Sequence, residues 1–94
     1  MNEIQDALRT WHRKKFPRST LPEIGLKLAE ECGEVCRAID RIHYSKSATE
    51  DAQWRENLTD EIGDAAIVLL VLCNRGHLDF EEVLTERAAE VMAR

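Results

Sequence analysis

Long apolar runs are missing from this chain. The longest, Ala65 to Cys73, spans nine residues, against the roughly 20 that a membrane-spanning helix needs. The N-terminus also lacks the apolar segment of a signal peptide. The expectation is therefore a soluble cytoplasmic protein with no membrane partner. Positive charge is short as well. Thirteen Lys and Arg against 18 Asp and Glu give a net charge of -5, which argues against a nucleic-acid backbone as partner. A small phosphorylated ligand stays open if a metal screens the charge. Only three cysteines occur, Cys32, Cys36 and Cys73, and an odd number without a leader is a poor disulfide framework. Cys32 and Cys36, with Cys73 and His77, have the spacing of a two-helix zinc site. Lying in apolar runs, these cysteines read first as small buried hydrophobes.

What is present is helical periodicity in a chain of 94 residues, enough for one domain, 1–94, with a modest core. Four helices and no strands are predicted. The first covers 2–16, with Ile4, Leu8 and Trp11 at helical spacing, and Phe16-Pro17 ends it. Thr20-x-x-Glu23 reads as a capping box with Pro22 in the first turn. The second helix then runs to about Ile42 along the stripe Leu21, Ile24, Leu28, Glu31, Val35, Ile39 and Ile42. Residues 43–50 read as a loop, with Ser47-x-x-Glu50 capping a third helix over 51–75 that stops near Gly76. Asp79-x-x-Glu82 starts a fourth that runs to about Ala93. Short connections imply a four-helix bundle with long antiparallel central helices. Those two helices carry apolar residues on more than one side, so the bundle is expected to be completed by oligomerisation, as a homodimer or homotetramer.

Four acids interrupt the apolar stripes. Glu31-x-x-Glu34 and Glu61-x-x-Asp64 each place two carboxylates on one helix face. Glu61 sits three residues after Leu58 and four before Ala65, on the stripe that continues through Val68 and Leu72. A buried unpaired carboxylate is strongly unfavourable, and a hard divalent cation is the most economical reason for several together. Oxygen donors without histidine favour Mg²⁺, or Mn²⁺, over zinc or copper. A di-iron bundle would supply Glu-x-x-His, which neither pair does. Because Mg²⁺ keeps waters and binds substrate phosphates, such a site points to phosphate-ester or phosphoanhydride chemistry. Glu30, about 100° round the helix from Glu31, is a candidate second-metal ligand or proton acceptor.

The string Leu28-Ala29-Glu30-Glu31-Cys32-Gly33-Glu34-Val35, then Asp60-Glu61-Ile62-Gly63-Asp64 before an aliphatic run, resembles the MazG-type all-α nucleotide pyrophosphohydrolases. The resemblance implies a Mg²⁺-dependent hydrolase that splits a nucleoside triphosphate between its α- and β-phosphates, giving a monophosphate and pyrophosphate. It implies Glu31, Glu34, Glu61 and Asp64 as metal ligands, Glu30 as accessory ligand or base, and a dimeric or tetrameric helical assembly. Phosphoribosyl-ATP pyrophosphohydrolases share this architecture and offer an alternative substrate. Many members carry a basic residue, an Asn and a second basic residue against phosphate where this chain has Arg87, Val91 and Arg94. Valine cannot make that hydrogen bond, which leaves substrate choice open. A non-catalytic helical oligomerisation module of the same fold is the competing reading.

Candidates for the substrate itself lie nearby in sequence. Lys14 and Lys15 end the first helix beside Trp11, and Lys27 stands one turn before Glu31. Each has a plainer reading: lysines complement a helix C-terminus, and Trp11 reads as core before it reads as a base-stacking surface. Trp54 is expected to cover the site mouth or to pack at a subunit interface. Asn74 and Arg75 read as helix-ending residues.

Overall fold

Three side chains open three of the four helices. In the computed structural model, which describes residues 2–94, the backbone N–H of Glu23 donates to Thr20 Oγ1, that of Glu50 to Ser47 Oγ and that of Glu82 to Asp79 Oδ1. Each bond satisfies one of the donors that a helix start leaves unpaired. The elements are α1 (Asn2–Lys15), α2 (Leu21–His43), α3 (Ala48–Arg75) and α4 (Phe80–Met92). Among the described residues there is no strand, and no helix is long and apolar enough to cross a membrane. The Ser47 cap shortens the predicted loop: residues 48–50 belong to α3, because the hydroxyl at 47 serves the N–H at 50.

The main packing is α2 against α3. The turn between them, residues 44–47, reverses the chain. Near that turn Arg37 and Arg41 of α2 lie over the Trp54 ring of α3, 5.5 and 5.7 Å from its centroid, a cation–π arrangement. At the far end Ile24 packs with Val68 and Val71, flanked by Leu28 and Leu72. The pair is thus antiparallel, and Trp54 serves this helix contact. The buried stripe of α2 passes through Ile24, Glu31 and Ala38. The sequence pattern put Ile39 there, but Ala38 is wholly buried and Ile39 is 54% exposed. Both lie within one turn of Val35, and the small side chain takes the inward position.

The orientation of α1 also departs from its apolar spacing. Ile4 and Trp11 are exposed, and the inward residues are Gln5, Leu8, Arg9 and His12. Trp11 is therefore not core. Cys32 and Cys36 are exposed and Cys73 half-buried, so the first two are not the buried hydrophobes their surroundings suggested.

The core within one chain is small. Among the described residues the buried hydrophobics are Ile24, Ala38, Val68, Leu70 and Val71. The surface area is 7158 Å², whereas a self-contained globule of this size exposes about 5,500 Å². The radius of gyration, 15.8 Å, likewise exceeds the roughly 12 Å of a compact chain of this length. Apolar residues at Cys32, Cys36 and Ile39 on α2, and at Ile62, Ala66 and Leu69 on α3, face outward at spacings of three and four.

Candidate metal centre

The antiparallel packing brings the acids of α2 to those of α3. Glu31, Glu61 and Asp64 each offer a carboxylate oxygen, and the three oxygens lie within 4.8 Å of one another. Among the described residues this is the one group of three or more His, Cys, Asp or Glu side chains so arranged. Cys32, Cys36, Cys73 and His77 do not converge, which removes the zinc arrangement. The three carboxylates have different settings. Glu31 is buried, Glu61 is half-buried and Asp64 is exposed. Partial desolvation pushes the Glu61 carboxyl above the usual range, and the charges of Glu34, Asp64, Glu31 and Asp60 push it further. Glu34 is the strongest of those charges, so it stands beside the cluster although outside the three-oxygen group. Its own nearest cation is Arg37, at 3.9 Å.

The donor set fits a hard divalent cation: several carboxylate oxygens converge, one from a buried residue, with repulsion among them that such a cation relieves. One protein cation already leans on the cluster. Lys27 Nζ lies 3.1 Å from Glu31 and 3.5 Å from Glu30. Its hydrogen bond to Glu31 and the nearby charges of Glu30 and Glu31 hold the ammonium pKa above the ordinary lysine value. Lys27→Met is expected to lower the melting temperature in metal-free buffer, since Glu31 then lacks its counter-ion. Adding Mg²⁺ should recover the loss, a pair of scans that differential scanning fluorimetry reads directly.

A groove of about 610 Å³ leads away from Glu31 and Asp64. Lys27 of α2 and Ile67, Val68 and Val71 of α3 line it, together with Trp11 and His12 of α1 and Phe16 just after it. These three rings form a cluster: Phe16 meets Trp11 edge-on at 5.9 Å and His12 lies 5.4 Å from Phe16. Burial lowers the His12 pKa and the charge of Arg75 lowers it further, both favouring the neutral ring. Arg75 donates to the Ser19 carbonyl, tying the end of α3 to the α1–α2 connection. That tie, rather than helix capping, is its role here.

The sequence candidates thus divide. Lys27 and Trp11 reach the groove with Glu31 and Asp64. Glu30 is exposed and paired with Lys27. Lys14 and Lys15 are exposed at the end of α1. Arg87 pairs with Glu90 at 2.6 Å on exposed α4, and Arg94 follows that helix. Neither arginine lines the groove. His12, Phe16, Ile67 and Val71 line it without having been singled out in the sequence. A basic-flanked aromatic trio, Trp11, His12 and Phe16, was the signal available for the first two.

No curated protein and no solved structure matches the chain. The family model for the MazG nucleotide pyrophosphohydrolase domain matches residues 19–94, a span that includes both acidic pairs and α2 to α4. With the carboxylates of two antiparallel helices converging inside that span, the chain belongs to the MazG nucleotide pyrophosphohydrolase domain family.

Proposed function

We propose that this protein hydrolyses a nucleoside triphosphate between the α- and β-phosphates, releasing pyrophosphate, with Mg²⁺ or Mn²⁺ held by Glu31, Glu61 and Asp64 and with Glu34 as the fourth ligand. The observation that carries this reading is the junction of the carboxylate trio with an aromatic groove. A nucleotide has the same two-part character, a polyanion joined to a flat ring. Bound there, the cation would neutralise phosphate charge and lower the pKa of a bound water.

The chain's own groups supply the rest. Lys27, at the boundary of cluster and groove, contacts the phosphates, exchanging part of its pairing with Glu30 for theirs. Glu30, released from that pairing, accepts a proton from the attacking water. Trp11 stacks on the base, with neutral His12 and Phe16 excluding water beside it. Lys14, Lys15, Arg87 and Arg94 lie outside the groove of one chain. They act on substrate only where an assembly or a movement of α4 brings them near it. The 7158 Å² surface supports such an assembly. It is about 1,600 Å² above the globular expectation, within the range that each partner buries in a permanent homodimer.

Product analysis by ³¹P NMR tests the cleavage position. The reading requires monophosphate and pyrophosphate in equal amounts, whereas diphosphate and orthophosphate would contradict it. Trp11→Ala is expected to raise KM by about tenfold with kcat nearly kept, from a stacking loss on the order of 1–3 kcal/mol. An unchanged KM would remove Trp11 from the base site.

A further inference from the structure

Polar contacts hold α1 to the rest of the chain. Its one buried residue is Gln5, 3% exposed, and each hydrogen-bonding atom of that amide is used. Nε2 donates to Asn74 Oδ1 at 3.0 Å and to the Leu78 carbonyl at 2.8 Å. Oε1 accepts from the Phe80 backbone N–H at 2.9 Å. Asn74 answers from α3: its Nδ2 donates to the Gln5 carbonyl at 3.0 Å, and its Oδ1 accepts a second bond from Arg9 Nη2 at 3.0 Å. Asn74 is thus not a helix-ending cap but half of a buried amide pair.

The α3–α4 turn is shaped to meet this pair. His77 has φ 56, the left-handed region, one residue later than the glycine that the sequence offered as the stop. The Leu78 N–H reaches back to the Cys73 carbonyl at 2.8 Å and the His77 N–H to that of Asn74 at 3.3 Å, the pattern of a Schellman turn. The turn leaves the Leu78 carbonyl and the Phe80 N–H facing one side chain. Phe80 is the first residue of α4, and its N–H has no partner within that helix. Gln5 provides one from another helix.

We propose that Gln5 and Asn74 form a positioning latch that fixes α1, and with it the Trp11, His12 and Phe16 wall of the groove, against α3. The proposal rests on the reading of that groove as the nucleotide site. Hydrogen bonds are directional, so the amide pair holds α1 at one rotation, where an apolar contact tolerates several. That rotation turns Ile4 and Trp11 away from the α3 contact and leaves Trp11 lining the groove. His12 lies seven residues beyond Gln5, two helical turns along the same face. Glu31, Glu61 and Asp64 stand on α2 and α3, so loss of the latch loosens the wall and spares the acidic cluster.

The test pairs hydrogen exchange with steady-state kinetics on the full chain carrying Gln5→Ala or Asn74→Ala. The latch requires exchange in α1 to rise by about tenfold or more while α2 and α3 keep their protection. It also requires KM to rise by about tenfold with kcat within about twofold. A merely structural role would raise exchange across all four helices alike and leave KM unchanged, and either result overturns the latch. Should neither variant melt cooperatively, Arg9→Ala decides, since it removes one bond to Asn74 and keeps the amide pair. It must move α1 exchange and KM in the same direction, and no movement overturns the proposal. If the unaltered protein hydrolyses no nucleotide, the functional reading falls, and exchange alone then decides the latch.

Discussion

Asp64→Asn is expected to lower kcat/KM by about a thousandfold or more, because charge stabilisation by a bound metal is worth several kcal/mol. The helical fold should remain. Asp64 is the exposed member of the carboxylate trio, so its amide isostere removes a charge and leaves no buried hole. Glu34→Gln should give a loss of the same order if Glu34 completes the ligand set. A loss below about tenfold would instead make it a positioning neighbour of Glu61. The same charge removal has the opposite effect on stability without metal. Glu61 is pushed toward its neutral form by desolvation and by four neighbouring acids. A carboxyl whose pKa is raised by folding favours the folded state below its unfolded pKa, and that contribution is lost as pH rises through the raised value. The Glu61 contribution to the stability of metal-free protein should therefore be lost on going from acid to neutral pH. Glu61→Gln should flatten that loss and raise the melting temperature at pH 7 in EDTA. Activity lost together with apo-stability gained is the signature of a cluster kept for metal. A lower melting temperature for Glu61→Gln in EDTA would count against it.

Ile39→Glu, and separately Leu69→Glu, should shift the protein to a smaller species in light scattering and lower its melting temperature by about 10 °C or more. An unpaired charge buried in an apolar interface is unfavourable by several kcal/mol, and each kcal/mol moves the melting temperature of a domain this size by about 4–8 °C. Ile39 is 54% and Leu69 37% exposed in one chain, which would make both substitutions nearly neutral in a monomer. The argument for a large effect is the outward apolar pattern on α2 and α3 together with the excess surface. A wild-type protein that scatters as a monomer, with both variants melting as it does, would contradict the assembly.

What the sequence made legible was whatever depends on near neighbours. Thr20, Ser47 and Asp79 were readable as caps because each serves an N–H three residues on. The acidic pairs were readable because Glu31 and Glu61 interrupt apolar stripes that continue on both sides. Harder was anything decided by a distant partner. Gln5 is buried on account of Asn74, Leu78 and Phe80, some 70 positions away, so the local rhythm of Ile4, Leu8 and Trp11 placed only Leu8 on the inward face of α1. Ala38 and Ile39 are equally periodic with Val35, and only the closeness of α3 chooses the smaller. Cys32 and Cys36 were misjudged for a related reason. Their apolar neighbourhood on α2 faces outward, so it lies outside the core of the chain. Arg87 and Arg94 show the same limit, since spacing alone cannot say that α4 packs on α1 and α3 and not on α2.

The most direct measurement is pyrophosphate release by the wild-type protein from a panel of canonical and modified nucleoside triphosphates and phosphoribosyl-ATP, in Mg²⁺, Mn²⁺ or EDTA. Release from one or a few substrates that needs metal and stops in EDTA is the predicted result, and it would name the substrate class. No release from any of them, by well-folded and metal-replete protein, would contradict the account and favour a non-catalytic module, with Val91 in place of the usual Asn as the first residue to restore.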